Sequence, residues 1–146
     1  MTAAIFHSAP AIGPAPSMAP AERGFVTGGV RLLLRLEGFA AFAAALAIYW
    51  QNDFSWLVFA LFFLAPDIAM LAYLAGPRAG AFGYNAAHTY ISPLALALLG
   101  LFGGVPFAGA GGLIWIAHIG LDRALGYGLK YPTAFADTHL SSVGRR

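Results

Sequence analysis

The sequence predicts an all-α membrane protein, a four-transmembrane-helix bundle with both termini cytoplasmic. Of its 146 residues, 60% are hydrophobic and 10% are charged, whereas soluble domains carry about 25% charged residues. The apolar residues fall into four segments, and a helix needs roughly 20 such residues to cross a bilayer. Because the chain has no Cys, disulfides and thiolate metal sites are excluded.

The chain divides into three predicted parts. Residues 1–24 form an Ala/Pro-rich leader that we predict to be disordered, since it has no helical period and no continuous apolar run of the kind found in secretory signals. Residues 25–131 are the predicted transmembrane domain. Residues 132–146 are polar enough to form a cytoplasmic tail.

The transmembrane domain contains four predicted helices, at about 29–50, 54–74, 81–102 and 111–130. Asn52 or Asp53 is the predicted cap of the second helix, because short polar side chains bond the free N–H groups at helix starts. The Gly- and Pro-containing stretches GPRAG and GGVPFAGAG, at 76–80 and 103–111, predict the other two connections.

The distribution of basic residues predicts the orientation. None lies between the first and second predicted helices or between the third and fourth. Since cytoplasmic loops carry the excess of Lys and Arg, both termini are expected inside, in a multi-pass protein of the bacterial cytoplasmic (inner) membrane. The basic residues are Arg23, Arg31, Arg35, Arg78, Arg123, Lys130, Arg145 and Arg146.

Ionisable side chains from all four predicted helices lie at nearly one depth. Counting along each helix puts them about 10–12 Å from the cytoplasmic end, with His118 one turn deeper. An ionisable group near mid-helix costs about 2.5–3.5 kcal/mol on insertion scales, so pairing, protonation or a cation is needed to offset it. The residues at this level are Glu37, Asp67, His88 and Asp122.

Residue spacing places several of these side chains on common faces. His118 and Asp122 are four residues apart and therefore share one face of the last helix. On the third helix, Tyr84, Asn85 and His88 form a polar stripe. We therefore expect a polar centre between the helices.

Two prolines are expected to free backbone carbonyls near this centre. Pro66 directly precedes Asp67, and without an N–H it cannot bond the carbonyl of Phe62. Pro93 does the same for Thr89 on the third helix. Freed carbonyls at membrane depth need another donor or a ligand.

The polar centre has the composition of a metal site. Two imidazoles with carboxylates suit Zn, Fe or Mn. The predicted ligands are His88, His118, Asp122 and Asp67. The alternative is an ion-pair and hydrogen-bond network that only fixes the packing of the helices. For the cluster as a whole, its position inside the membrane favours a functional site.

The first functional hypothesis is an integral membrane enzyme or cofactor-binding protein that uses a divalent metal on a lipid-linked or small substrate. Glu37 would act as a base and Arg123 would orient an anionic group. The alternative is a non-enzymatic small subunit or assembly factor of a membrane complex. The expected partners are the lipid bilayer and other membrane subunits, and no basic stripe indicates nucleic acid. Ion transport is disfavoured because the outer halves of the helices are nearly purely apolar.

Several motifs resemble those of a family of small bacterial membrane proteins known as a domain of unknown function. The resemblance covers about residues 31–140. It implies a small four-helix membrane protein and no particular activity. The motifs are RLEG, PDIAM, YNAAH, WIAHIGLDRALGYGLKY and FADTHL.

Overall fold

The computed structural model describes residues 24–140, and these form an all-α bundle of four helical segments. The predicted leader and the last six residues of the predicted tail lie outside the described residues, apart from Gly24. The segments are α1 (Gly28–Gln51); α2 (Trp56–Phe62) with a 3₁₀ segment (Ala65–Ala75); α3 (Pro77–Ala87) with α4 (Ile91–Gly103); and α5 (Pro106–Leu125).

Helix α5 lies at the centre of the bundle, packed between α1 and α4. The middle of this helix is inaccessible to solvent and lipid, because Ala117 and Ile119 are completely buried. Glycines allow both neighbours to approach closely. A Cβ at Gly120 would meet the α1 backbone at Gly38 and Phe42. Backbone contact of this kind is how helices associate where no hydrophobic effect drives them together.

The α4–α5 contact depends on Gly100, and this gives a first prediction. A Cβ on Gly100 would overlap the backbone of Gly109. Gly100→Ala is therefore expected to destabilise the protein by about 1–3 kcal/mol through overpacking, measured as a lower thermal unfolding midpoint in detergent. Gly29→Ala is the control, since a Cβ there meets nothing within 4 Å. Equal midpoints for the two variants would contradict the contact.

The second segment changes helix type at its centre. Ser55, and not Asn52 or Asp53, caps α2, because its Oγ accepts the N–H of Val58. After Leu64 the chain continues as 3₁₀, and the N–H of Asp67 donates to the carbonyl of Leu64 at 3.1 Å. A 3₁₀ run of 11 residues is long for a helix type that rarely exceeds 3–4 residues, and it begins beside Pro66.

The loop predicted at 76–80 is much shorter in the structure. Only Gly76 separates the 3₁₀ segment from α3, with a φ of 106° that suits glycine. Pro77 then occupies the first turn of α3, where its missing N–H costs nothing. The third segment is also not continuous, because it breaks at residues 88–90 between α3 and α4.

The last helix begins earlier and ends earlier than predicted. Pro106 starts α5, and Gly126 ends it with a φ of 100°. The predicted 103–111 loop is thereby shortened to Gly104 and Val105. Between Gly126 and residue 140 the described chain contains turns and bends, and an antiparallel bridge joins Lys130 to Thr138.

Three of the four segments are long and apolar enough to cross a membrane. They are Gly28–Gln51, Trp56–Ala75 and Pro77–Gly103, with mean hydropathies of 1.7, 2.2 and 1.4. Large apolar side chains face outward on all of them, including Leu57 and Phe102, as expected for surfaces in contact with lipid. The chain is therefore a multi-pass membrane protein by length and composition. Helix α5 is not one of the three, so its crossing stays a prediction.

Candidate metal centre

All four predicted ligands lie close together between the 3₁₀ segment, α3 and α5. Asp67 lies on the 3₁₀ segment, His88 caps the end of α3, and His118 and Asp122 lie on α5. One ligand atom from each lies within 4.8 Å of the other three. The imidazoles are 1% and 3% exposed, and the carboxylates of Asp67 and Asp122 are 32% and 20% exposed. The centre is therefore buried on its nitrogen side and more open at Asp67.

Five of the six distances between the four atoms are close to the edge length of a tetrahedral site. His88 Nε2 lies 3.2 Å from His118 Nε2, 3.5 Å from Asp67 Oδ1 and 3.6 Å from Asp122 Oδ2. His118 Nε2 lies 3.5 Å and 3.8 Å from the same two oxygens. Bonds of about 2.1 Å to a tetrahedral zinc ion give ligand–ligand distances of about 3.4 Å. Five of the six separations are therefore close to those around one tetrahedral ion, and the sixth, between the Asp67 and Asp122 oxygens, is within 4.8 Å.

A backbone carbonyl fixes the tautomer of His88. Its Nδ1 lies 2.9 Å from the carbonyl oxygen of Tyr84. Because a carbonyl oxygen only accepts, Nδ1 must carry the proton and donate it. In the neutral ring Nε2 then presents a lone pair to the centre, which is how metal-binding histidines are oriented in proteins.

Aromatic side chains enclose the centre and orient its ligands. The Tyr84 hydroxyl donates to Asp122 Oδ2 at 3.2 Å. The Tyr84 ring stacks on His88 with centroids 3.7 Å apart. The Phe63 ring meets His118 edge-on at 5.5 Å. These contacts restrict both imidazoles and one carboxylate before any ligand arrives, which favours binding.

The break in the third segment lets His88 reach the centre, and α5 stabilises that break. The carbonyl of His88 accepts Arg123 Nη2 at 3.0 Å, and the carbonyl of Ala87 accepts Trp115 Nε1 at 2.6 Å. Both carbonyls face donors on α5, as non-helical backbone at membrane depth requires. Trp115 was not a predicted site residue. The sequence predicted a freed carbonyl at Thr89, whereas the carbonyls that accept donors from α5 are those of Ala87 and His88.

One family profile, Domain of unknown function (DUF4260), matches residues 31–143. The chain belongs to the DUF4260 family. All four residues of the centre lie inside the matched range. No curated protein and no solved structure matches the chain.

The other predicted site residues of this DUF4260 protein lie around the centre and not in it. Arg123 donates to the carbonyls of His88 and Tyr127. Asn85 exchanges two hydrogen bonds with the backbone of Lys130. Glu37 is exposed and lines a separate cavity of about 160 Å³ with Arg123. The catalytic roles predicted for Glu37 and Arg123 stay predictions.

The tail of the DUF4260 domain is attached through His139. Its Nδ1 accepts the N–H of Leu129 at 2.9 Å, and its own N–H donates to the carbonyl of Leu129. Burial, and then the positive charge of Arg123, lower the pKa of His139 below its ordinary value of 6.5. The docked tail therefore prefers the neutral imidazole, which is the form that can accept this hydrogen bond.

Acidification is expected to release the tail. Because detached His139 binds a proton more tightly than docked His139, docking weakens as the pH falls below 6.5. Hydrogen exchange at Leu129 and His139, corrected for the intrinsic effect of pH, should then become faster. His139→Asn retains an acceptor oxygen and does not titrate, so its tail should exchange independently of pH. The same acid sensitivity in that variant would contradict the assignment.

Proposed function

We propose that this protein is an integral membrane metalloprotein that binds one divalent transition-metal ion between Asp67, His88, His118 and Asp122. The observation that carries the proposal is the His88–Tyr84 hydrogen bond, which turns the lone pair of Nε2 toward three other potential ligand atoms. Without a cation or a shared proton, these lone pairs would repel one another at 3.2–3.6 Å.

Charge balance within the membrane supports a divalent cation. Two carboxylates and two neutral imidazoles carry two negative charges, which a divalent ion neutralises. Each carboxylate would otherwise cost about 2.5–3.5 kcal/mol at this depth. Zinc is the first choice, because it is commonly tetrahedral with His and Asp ligands, and Fe or Mn follow when carboxylates and water complete the site.

Metal analysis of the purified protein tests the proposal. The protein is stripped with chelator, incubated with zinc in detergent and passed through a desalting column. Elemental analysis is expected to find one zinc per chain. If the protein remains monodisperse and contains no zinc after this treatment, the proposal is refuted.

We further propose that the metal supports catalysis on a lipid-linked or small substrate. A zinc ion that took a fifth ligand, or exchanged Asp67 for one, could activate bound water or polarise a carbonyl or phosphoryl oxygen. The greater exposure of Asp67 leaves that side of the centre accessible. In this proposal Arg123 keeps the role of anion-orienting group, and both termini lie on the cytoplasmic side of a bacterial inner membrane. Glu37 lines a separate cavity, so the proposal gives it no step at the metal.

A non-enzymatic role is the second candidate, favoured by the Tyr84–Asp122 hydrogen bond that joins α3 to α5. If the cluster only sets helix packing, Asp122→Asn should impair folding in the presence of chelator. If the cluster binds metal, the same variant should fold without metal and lose zinc affinity.

A further inference from the structure

An apolar cavity of about 530 Å³ lies beside the metal centre. Its walls come from α2, the 3₁₀ segment, α3, α4 and α5, and they include Val58, Phe62, Phe107 and Trp115. Pockets that hold small molecules typically measure about 300–1,000 Å³. The size is therefore suitable for a ligand, and the lining is suitable for hydrocarbon.

The lining of the cavity adjoins the metal centre along the chain, although none of the four ligands is itself a lining residue. Two of its lining residues, Pro66 and Ala87, immediately precede Asp67 and His88 in the chain. Along α5 the lining runs from Phe107 to Trp115, and His118 follows within one turn. The distance from Phe107 to His118 along the helix is about 16 Å. The apolar lining thus adjoins the metal-ligating residues on three segments of the bundle.

We propose that this cavity binds the alkyl chain of a single-chain amphiphile whose oxygen-bearing head group reaches the metal. This inference rests on the proposed metal centre and names its substrate class. The walls offer almost no hydrogen-bonding group to a polar ligand, and the surrounding bilayer consists of acyl chains. Two of the lining residues, Phe62 and Phe107, are 56% and 89% exposed. The cavity therefore opens to the outer surface of the bundle, where the acyl chains of the bilayer are its neighbours.

Fluorescence quenching of Trp115 by brominated amphiphiles tests the proposal. A Trp50→Phe/Trp56→Phe variant leaves Trp115 as the single Trp, and it is placed in dimyristoylphosphatidylcholine nanodiscs. Bromododecanoic acid is expected to quench Trp115 to saturation, with about tenfold tighter binding when zinc is present. Bromododecyltrimethylammonium has the same chain and no metal-binding oxygen, so zinc should not tighten its binding.

Filling the cavity provides the decisive variant. A Cβ at Gly111 meets only the Leu96 side chain, at 3.8 Å, so Gly111→Leu can extend into the cavity without a backbone clash. This change should remove the saturable quenching, whereas Ala44→Leu on the exposed face of α1 should not. A Trp56→Phe/Trp115→Phe variant keeps Trp50, which is 72% exposed, as a reporter of bulk lipid.

Three results would overturn the inference. In the first, quenching of Trp115 rises without saturation, as quenching of Trp50 does. In the second, saturable quenching of Trp115 persists in Gly111→Leu. In the third, bound zinc leaves the affinity for bromododecanoic acid unchanged. Failure of the metal centre itself is distinguished by the zinc analysis. If the protein binds no zinc, saturable quenching of Trp115 by the two probes still tests whether the cavity binds an alkyl chain.

Discussion

Replacing His118 with alanine is expected to reduce the zinc affinity of the purified protein by about 100-fold or more. His118 supplies one of two nitrogen atoms in the centre, and its ring is 97% buried among the other ligands. Losing even an outer-shell partner typically costs about 10–100-fold, so losing a direct ligand should cost at least as much. Competition with a chromophoric zinc chelator measures the change.

His139→Ala is the matched control, because His139 lies in the tail and bonds the backbone of Leu129. It should leave zinc affinity unchanged. Asp67→Asn provides a second ligand variant at the most exposed position, where misfolding is less of a concern. Unchanged zinc affinity in both His118→Ala and Asp67→Asn would exclude the proposed centre.

Zinc is expected to stabilise the folded protein strongly. An ion that binds only the folded state at about 1,000 times its Kd stabilises that state by about 4.1 kcal/mol. The effect should be large here because the four ligands come from three separate segments, and unfolding disperses them. The thermal unfolding midpoint, measured in detergent with zinc and with chelator, should differ by several degrees.

Magnesium serves as the metal control, because it prefers six oxygen ligands in an octahedron. Magnesium should leave the unfolding midpoint unchanged. His118→Ala, with zinc affinity about 100-fold lower, should reduce the stabilisation by zinc to about a third or less. A packing network without metal predicts the opposite pattern. The wild-type midpoint would then be insensitive to zinc, and the His118→Ala midpoint would be low with and without it.

The sequence predicted the members of the centre because depth and helix periodicity are local properties. The four-residue spacing of His118 and Asp122 fixed their common face, and counting from the helix ends put Asp67 and His88 at the same level. The broken third segment did not alter this outcome, because His88 lies directly at the break.

The position of Glu37 shows that depth in the membrane does not determine which face of a helix points toward the centre. Glu37 lies at the predicted level, but α1 packs on α5 at Gly120. At about 100° per residue, Gly120 is about 200° around the helix from His118. Helix α1 therefore packs on the face opposite the centre, and only tertiary packing determines that angle.

The non-helical and 3₁₀ backbone near the centre could also not be predicted from the sequence. Pro66 and Pro93 indicated that hydrogen bonds would be missing, but not that a 3₁₀ run of 11 residues would follow one of them. The donors that satisfy the carbonyls of Ala87 and His88 are on α5, far along the chain. Such partners depend on the three-dimensional packing of segments that no local pattern connects.

The position of the ligands along the chain has a consequence for biogenesis. Asp67 and His88 leave the ribosome well before His118 and Asp122, and α1 contributes none of the four. A nascent chain that has inserted only its first three segments holds half of the ligand set. Loading of the proposed metal centre would therefore be a late event in maturation, and a product truncated before α5 would carry two unmatched polar groups into the bilayer.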